Sequence, residues 1–284
     1  MASLISVGQV VDQTFHHYQK YFKQLLGVSL YIFTGTPFFI AATVLYSATD
    51  STRLILSAIC TVLSTLVSII AVLWASDALI LSVEAQAQAK KNKTETITRL
   101  AWRKFLPFLA VKILIVLVLI GGAIVCLIPA TTLFLLSISM QSNSFLSLLA
   151  GILFTIVGLV AALVYCTWIW VLTLSTPYAL LLENINIKKS FYRTYSLVRG
   201  RWWAVLARII LPNLSIAIIV PVATKIIHFL LKLLAIGSSD MLIPLYIISH
   251  LADVALVALT IPFLVIANYY VFQSLVDTYK PNAS

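Results

Sequence analysis

Six long apolar runs set the limits on what this chain can become. Leu25–Ser47, Leu54–Leu81, Phe105–Ser137, Leu146–Leu182, Ala204–Thr224 and Met241–Phe272 are each long enough to cross ~30 Å of hydrocarbon as a helix rising ~1.5 Å per residue. Oil offers backbone amides no partner, so such segments must be helices or strands of a closed barrel. Runs of this length without strict alternation are helices. Composition agrees: 61% of the 284 residues are hydrophobic, 10% are charged, and the mean hydropathy is +1.04. A soluble domain has about 25% charged residues, so this chain lacks the polar cover that a water-facing surface needs. The sequence predicts an all-α polytopic membrane helix bundle, six transmembrane helices forming one integral membrane domain over 1–284.

The basic residues orient these spans. Lys20 and Lys23 precede span 1. Lys90, Lys91, Lys93, Arg99, Arg103 and Lys104 lie between spans 2 and 3. Lys188, Lys189, Arg193, Arg199 and Arg201 lie between spans 4 and 5, and Lys280 follows span 6. Fourteen of the nineteen Lys and Arg residues thus fall on one side, against Arg53, Lys225 and Lys232 on the other. Both termini are expected in the cytoplasm. The first apolar run is too long for a signal-peptide core and lacks a small-residue cleavage site, so no cleaved leader is expected. Cys60, Cys126 and Cys166 fall singly inside spans and read as small apolar packing residues.

The net charge of +10 sits beside the spans, where each cation attracts anionic headgroups by ~1 kcal/mol. The predicted anionic-lipid contacts are Lys20, Lys23, Lys90, Lys91, Lys93, Arg99, Arg103, Lys104, Lys188, Lys189, Arg193, Arg199 and Arg201. No basic segment outside the membrane flanks has the length or aromatic spacing of a nucleic-acid surface. A protein partner or a second copy of the chain is the further contact considered.

Basic amphipathic stretches precede the odd-numbered spans. In the first, Leu4, Val7, Val11, Phe15, Tyr18, Phe22 and Leu25 step by three or four, which predicts an interfacial helix. His16 and His17 fall on its polar side, where solvated imidazoles are expected. In the second, Asn92 and Glu95 have capping-box spacing, and Ile97, Ala101, Phe105 and Phe108 form the stripe. In the third, Ile187, Phe191, Tyr195 and Val198 form the stripe until Gly200 ends it. Spans 2 and 4 end on Glu84 and Glu183, with Trp102 and Trp202 eighteen and nineteen residues further on. The pattern suggests three copies of surface helix, span, span over 1–84, 85–183 and 184–277.

Three segments carry a resemblance to a known family: Pro177-Tyr178-Ala179-Leu180-Leu181-Leu182-Glu183, then Ile187-Lys188-Lys189-Ser190-Phe191, then Tyr195 through Trp203. They resemble the bacterial family named for the membrane domain of glycerophosphoryl diester phosphodiesterases, which has kin among small inner-membrane proteins. A Pro-led helix end and an acidic residue there precede a basic surface helix with a Leu-x-x-Gly-x-Trp/Phe ending. The likeness covers about twenty-seven residues closely and the rest by layout. It implies a bacterial inner-membrane protein. The phosphodiesterase activity in that family belongs to a separate soluble domain, which is not expected after Ser284, so no catalytic residue carries over.

Ionisable residues at membrane depth are functional candidates. Asp253 lies twelve residues in from Met241, and Asn213 lies eleven back from Thr224, so an antiparallel hairpin brings the two to one level. His250 shares the face of Asp253. Asp253, His250 and Asn213 form a predicted polar site, read either as an ion-coupled site or as a protonated Asp in an interhelical hydrogen bond. Asp77 joins the candidates near the inner end of span 2, within reach of water or Lys112. Lys225, His228 and Lys232 share one face of an outward helix continuing from span 5. Pro212 and Pro221 make span 5 the most interrupted helix, and Gly151, Thr155, Gly158 and Ala162 form a small-residue stripe on span 4.

No zinc His pair, nucleophile elbow, phosphate-cradling Gly loop or acidic Mg²⁺ cluster is present in the sequence. The expectation is a non-enzymatic protein with no catalytic residues, cofactor or metal, structural or accessory in role, its basic surface helices meeting anionic lipid or a partner. The alternative is a small transporter or permease subunit using the polar site around Asp253.

Overall fold

The computed structural model describes residues 4–46, 50–88, 94–139, 145–234 and 242–279. Lys90, Lys91, Asn92, Lys93, Met241 and Lys280 lie outside them, and with them the proposed Asn92 cap. Among the described residues the regular elements are all helical: α1 (Val7–Ser29), a 3-10 turn (Leu30–Gly35), α2 (Thr36–Tyr46), α3 (Ser51–Ala87), α4 (Thr94–Ser139), α5 (Phe145–Leu174), α6 (Thr176–Leu182), α7 (Ile187–Val198), α8 (Trp202–Leu234) and α9 (Leu242–Asp277). Six stretches are long and apolar enough to cross a membrane: Val7–Tyr46, Ser51–Ala87, Thr96–Leu136, Leu149–Leu182, Trp202–Leu234 and Ile243–Asp277.

Local chemistry explains where these helices start, bend and stop. α1 opens on a capping box, Ser6 Oγ accepting from the Gln9 amide at 3.2 Å and Gln9 Oε1 accepting from the Ser6 amide at 3.0 Å. It bends at Tyr21 (φ −113°, ψ 16°) and tightens into the 3-10 turn before α2. The expected join between the second surface helix and span 3 at Phe105 does not exist. α4 runs unbroken through it, because Pro107 removes a single N–H and no glycine or turn residue sits nearby to end the helix. A true break separates α7 from α8, where Gly200 adopts φ +77°. Span 4 is interrupted at Ser175, just before Pro177, which separates α5 from α6.

The chain forms two compact units, 1–106 with 203–284, and 107–202. In the first, α2 and the 3-10 turn lie along α3, and α1 and α3 both pack on α9. Two buried serines two turns apart join α3 to this layer: Ser57 Oγ donates to Ala42 O at 2.8 Å and Ser64 Oγ to Gly35 O at 3.1 Å. A methyl group at Gly35 would meet the Ser68 side chain and lie 3.0 Å from Ser64 O, so only glycine permits this approach. In the second unit the predicted small-residue stripe finds its partner within the chain. A methyl group at Gly158 would strike Ala130, and Tyr165 lies over Gly122 and donates to Val118 O at 3.0 Å.

Burial follows one pattern in both units. The buried residues gather at the helix ends that carry the basic segments. Residues Ala71–Ala85 of α3 are mostly buried, as are Val265–Leu275 of α9, Val205, Ile209 and Pro212 of α8, and Val10 to Val28 of α1 along one face. In the second unit the same holds for Phe108 and Val111 of α4, Val171 of α5, and Pro177–Leu181 of α6. Elsewhere these helices expose Leu, Ile and Val: Ile55, Val62, Leu66 and Ile70 on α3, and Ile218, Val222 and Phe229 on α8. Ser51–Ile70 is twenty residues, about 30 Å of helix, which matches one hydrocarbon core. The apolar runs thus exceed a bilayer for a physical reason. One length of each faces lipid, and the remainder packs against protein at the basic end.

Candidate functional site

The face of α1 that meets protein differs from the stripe the sequence suggested. Val10, Thr14, His17, Leu25 and Val28 are buried, at helical spacing, while Phe15 is 54% exposed and Phe22 is also exposed. Leu25 of the predicted stripe lies on this buried face, while Phe15 and Phe22 lie one residue, ~100° of helix rotation, from it. α7 shows the offset in part: Ser190, Thr194 and Leu197 are buried and Tyr195 is exposed, but Val198 of the predicted stripe is also buried. In a membrane the apolar line can face lipid, which frees a mixed polar and apolar line to face protein. On α4 the predicted stripe is itself the buried line, with Ala101, Phe105 and Phe108 inside and Trp102 outside.

His17 is consequently not solvated, contrary to expectation. It is 5% exposed, with Nε2 2.9 Å from Gln86 Oε1 and Nδ1 3.0 Å from the Tyr270 hydroxyl. Gln86 Nε2 donates onward to Gln24 Oε1 at 3.1 Å. One tautomer satisfies every atom: Nε2–H donates to Gln86, Nδ1 accepts from Tyr270. The chain of bonds joins α1, α3 and α9. Beside it, Tyr269 of α9 lies against the Glu84 carboxylate, and Gln88 also donates to Glu84. Tyr18 donates to Leu259 O at 2.9 Å, one carbonyl from the gap that Pro262 leaves in α9.

Asp77 is fully buried, and neither carboxylate oxygen has a hydrogen-bond partner. Lys104 is the cation that acts on it. Around Trp74, three residues earlier on α3, Tyr31 meets the indole edge-on at a centroid distance of 4.6 Å and Trp102 lies tilted against it at 5.6 Å.

The other predicted residues disperse. Asn213 does not donate to Asp253. Its Nδ2 donates to Ile209 O at 2.8 Å and reaches Asn268 Oδ1 at 3.4 Å. Asn213 thus bonds within its own helix, at the carbonyl next to the Arg208 carbonyl that Pro212 leaves without an amide, and touches α9 at Asn268. Asp253 instead faces His228, with Oδ2 3.2 Å from Nε2, both side chains more than one-third exposed. His250 stacks flat on Phe39 of α2 at a centroid distance of 3.5 Å. α8 continues straight through Lys225, His228 and Lys232, and this continuity is what carries His228 to Asp253.

Several cations have protein roles. Arg193, expected at lipid, makes a two-pronged ion pair with Glu183, Nε 3.1 and 3.0 Å from the carboxylate oxygens. The turn that aligns them contains Asn184 at φ 52°, a conformation asparagine tolerates. Arg201 donates to Leu197 O at 3.1 Å. Arg208 of α8 holds the Leu4–Ile5 segment: it donates to Ile5 O and Leu4 O, while the Ile5 amide donates to Ser274 Oγ at 2.9 Å. Lys20 lies over the Tyr21 ring and Lys112 over Phe108. Lys23, Arg99, Arg103, Lys188, Lys189 and Arg199 are exposed, and among the described residues none of these six is ion-paired. Among the described residues no group of three or more His, Cys, Asp or Glu converges as a metal would require.

Alongside α7 the second unit contains a groove of about 770 Å³, lined by Leu114, Ile115 and Val118 of α4, Ile169, Leu172 and Thr173 of α5, and α7 residues from Ile187 to Tyr195.

Six membrane-length apolar helices, lipid-facing along one bilayer's length and packed at the basic end, define a multi-pass helical membrane protein. Comparison with protein-family models, with curated proteins and with solved structures gives no match.

Proposed function

We propose that this is a non-enzymatic protein of the bacterial inner membrane, both termini cytoplasmic, whose packed basic end is an accessory surface for anionic lipid. The reading rests chiefly on six exposed cations, Lys23, Arg99, Arg103, Lys188, Lys189 and Arg199, none ion-paired among the described residues. An unpaired cation beside a span gains ~1 kcal/mol from an anionic leaflet. The likeness of Pro177–Trp203 to the membrane domain of glycerophosphoryl diester phosphodiesterases supports the bacterial placement. The test is thermal unfolding of the detergent-solubilised full chain with added phosphatidylglycerol or phosphatidylcholine. A larger rise with phosphatidylglycerol, abolished by exchanging the six cations for glutamine, is expected. Equal rises would overturn the lipid role.

A second reading has its own observation. Asp77 is a buried carboxylate with both oxygens unpartnered, the kind of group through which a proton or cation passes. On this reading the protein is a small transporter subunit. Proteoliposomes carrying an internal pH dye should then leak protons faster than empty vesicles, and Asp77→Asn should remove the difference. A wild-type leak no greater than that of empty vesicles would end this reading.

A further inference from the structure

We propose that the groove between α4, α5 and α7 holds a single anionic phospholipid, one acyl chain against α4 and α5 and the phosphate at Lys188. The proposal rests on the anionic-lipid reading above and gives it a site.

The lining divides into two zones. Leu114, Ile115 and Val118 on α4 and Ile169 and Leu172 on α5 offer only hydrocarbon. Lys188, Tyr192 and Tyr195, on α7, provide the polar rim, and all three are exposed. The volume, about 770 Å³, falls in the ~300–1,000 Å³ range of small-molecule sites. A soluble metabolite would leave the apolar wall unmatched, and a wholly apolar guest would leave the ammonium unmatched. A phospholipid matches both. Its chain replaces lipid contacts already required of lipid-facing helices, its phosphate meets the cation, and the tyrosine hydroxyls stand at the level of the glycerol esters, where amphipathic rings reside.

The local fold keeps this site open. α7 packs through Ser190, Thr194 and Leu197, so its Lys188–Tyr192–Tyr195 line is left unfilled by protein. Tyr165, bonded to Val118 O, and Gly158, against Ala130, hold α4 and α5 together beside it. Of the three cations on α7, Arg193 is held by Glu183 and Lys189 does not line the groove, so Lys188 is the cation facing it.

The experiment is native mass spectrometry of the full chain titrated with phosphatidylglycerol or phosphatidylcholine. Wild-type protein should retain one phosphatidylglycerol at least tenfold more tightly than further copies and than phosphatidylcholine. Val118→Trp fills the groove from a position already exposed, so it does not overpack a core, and it should abolish that retained lipid. Leu114→Phe, a milder filling, should weaken it several-fold, and circular dichroism identifies any variant that has unfolded. Lys188→Gln should erase the headgroup preference, while Lys23→Gln on α1 should not. Folded Val118→Trp and Leu114→Phe proteins that both keep the tight lipid would overturn the groove and leave the general lipid reading standing. Wild-type protein with no headgroup preference would overturn both. A dimer dissociated by Val118→Trp would show a second copy in the groove and likewise overturn the proposal.

Discussion

Replacing His17 by alanine should cost this protein about 3 kcal/mol, whereas replacing His16 should cost almost nothing. The difference follows from rotation about α1. His16 is exposed, but His17 is 5% exposed and bonded at both ring nitrogens. Alanine at 17 leaves Gln86 Oε1 and the Tyr270 hydroxyl without that partner, each costing about 1 kcal/mol because both sites are half-buried. The imidazole also packs on Tyr21 and Tyr270, at centroid distances of 4.9 and 5.9 Å, contacts worth ~0.5–1.5 kcal/mol. At ~2–4 °C per kcal/mol for chains of 150–250 residues, the midpoint should fall by roughly 6–12 °C. His17→Phe keeps the ring and loses both hydrogen bonds, so it should fall between. Intrinsic tryptophan fluorescence in a mild detergent reads the transition, since Trp74 is buried in the same unit. Equal midpoints for the His16 and His17 variants would refute the claim that α1 docks on α3 and α9.

The remaining predictions use other contacts. Gly35→Leu should destabilise by ~1–3 kcal/mol through overpacking against Ser64 and Ser68, measured by the same unfolding midpoint. A double-mutant cycle on Glu183 and Arg193 should give a coupling of ~1 kcal/mol, below the value for a fully buried pair because both side chains are more than one-quarter exposed. Asp77→Asn should change stability by less than ~2 kcal/mol, because neither carboxyl oxygen has a hydrogen bond to lose; a larger loss would show that Lys104 depends on the carboxylate in the folded protein.

What could be read from the sequence was set by solvent and by local geometry. Six membrane-length helices follow from the length of the apolar runs alone, and the end of α7 follows from Gly200. Apolar spacing on α1 and α7 did not reveal which residues meet protein, since lipid accepts an apolar line such as Phe15 and Phe22 that water would reject. Adjacent histidines illustrate the consequence: only the tertiary arrangement separates His16 from His17. The length of α3 gave no warning that its last turns pack against protein, because a lipid-facing leucine and a core leucine look the same in sequence. The Asp253 site was misassembled for a geometric reason. Depth counted along two helices fixes level but not rotation, so Asn213 turned to Asn268, and His228, treated as part of an outer surface face, reached Asp253.

The central claim is that six chain crossings place every strongly basic segment on one face of the bilayer. Single cysteines at Arg99, Lys189 and Arg53, in a protein freed of Cys60, Cys126 and Cys166, can be labelled in intact bacterial cells with a membrane-impermeant maleimide. The account predicts labelling at position 53 alone, with 99 and 189 reacting only after the membrane is opened. Labelling of 99 but not 189 from outside, or the reverse, would contradict it.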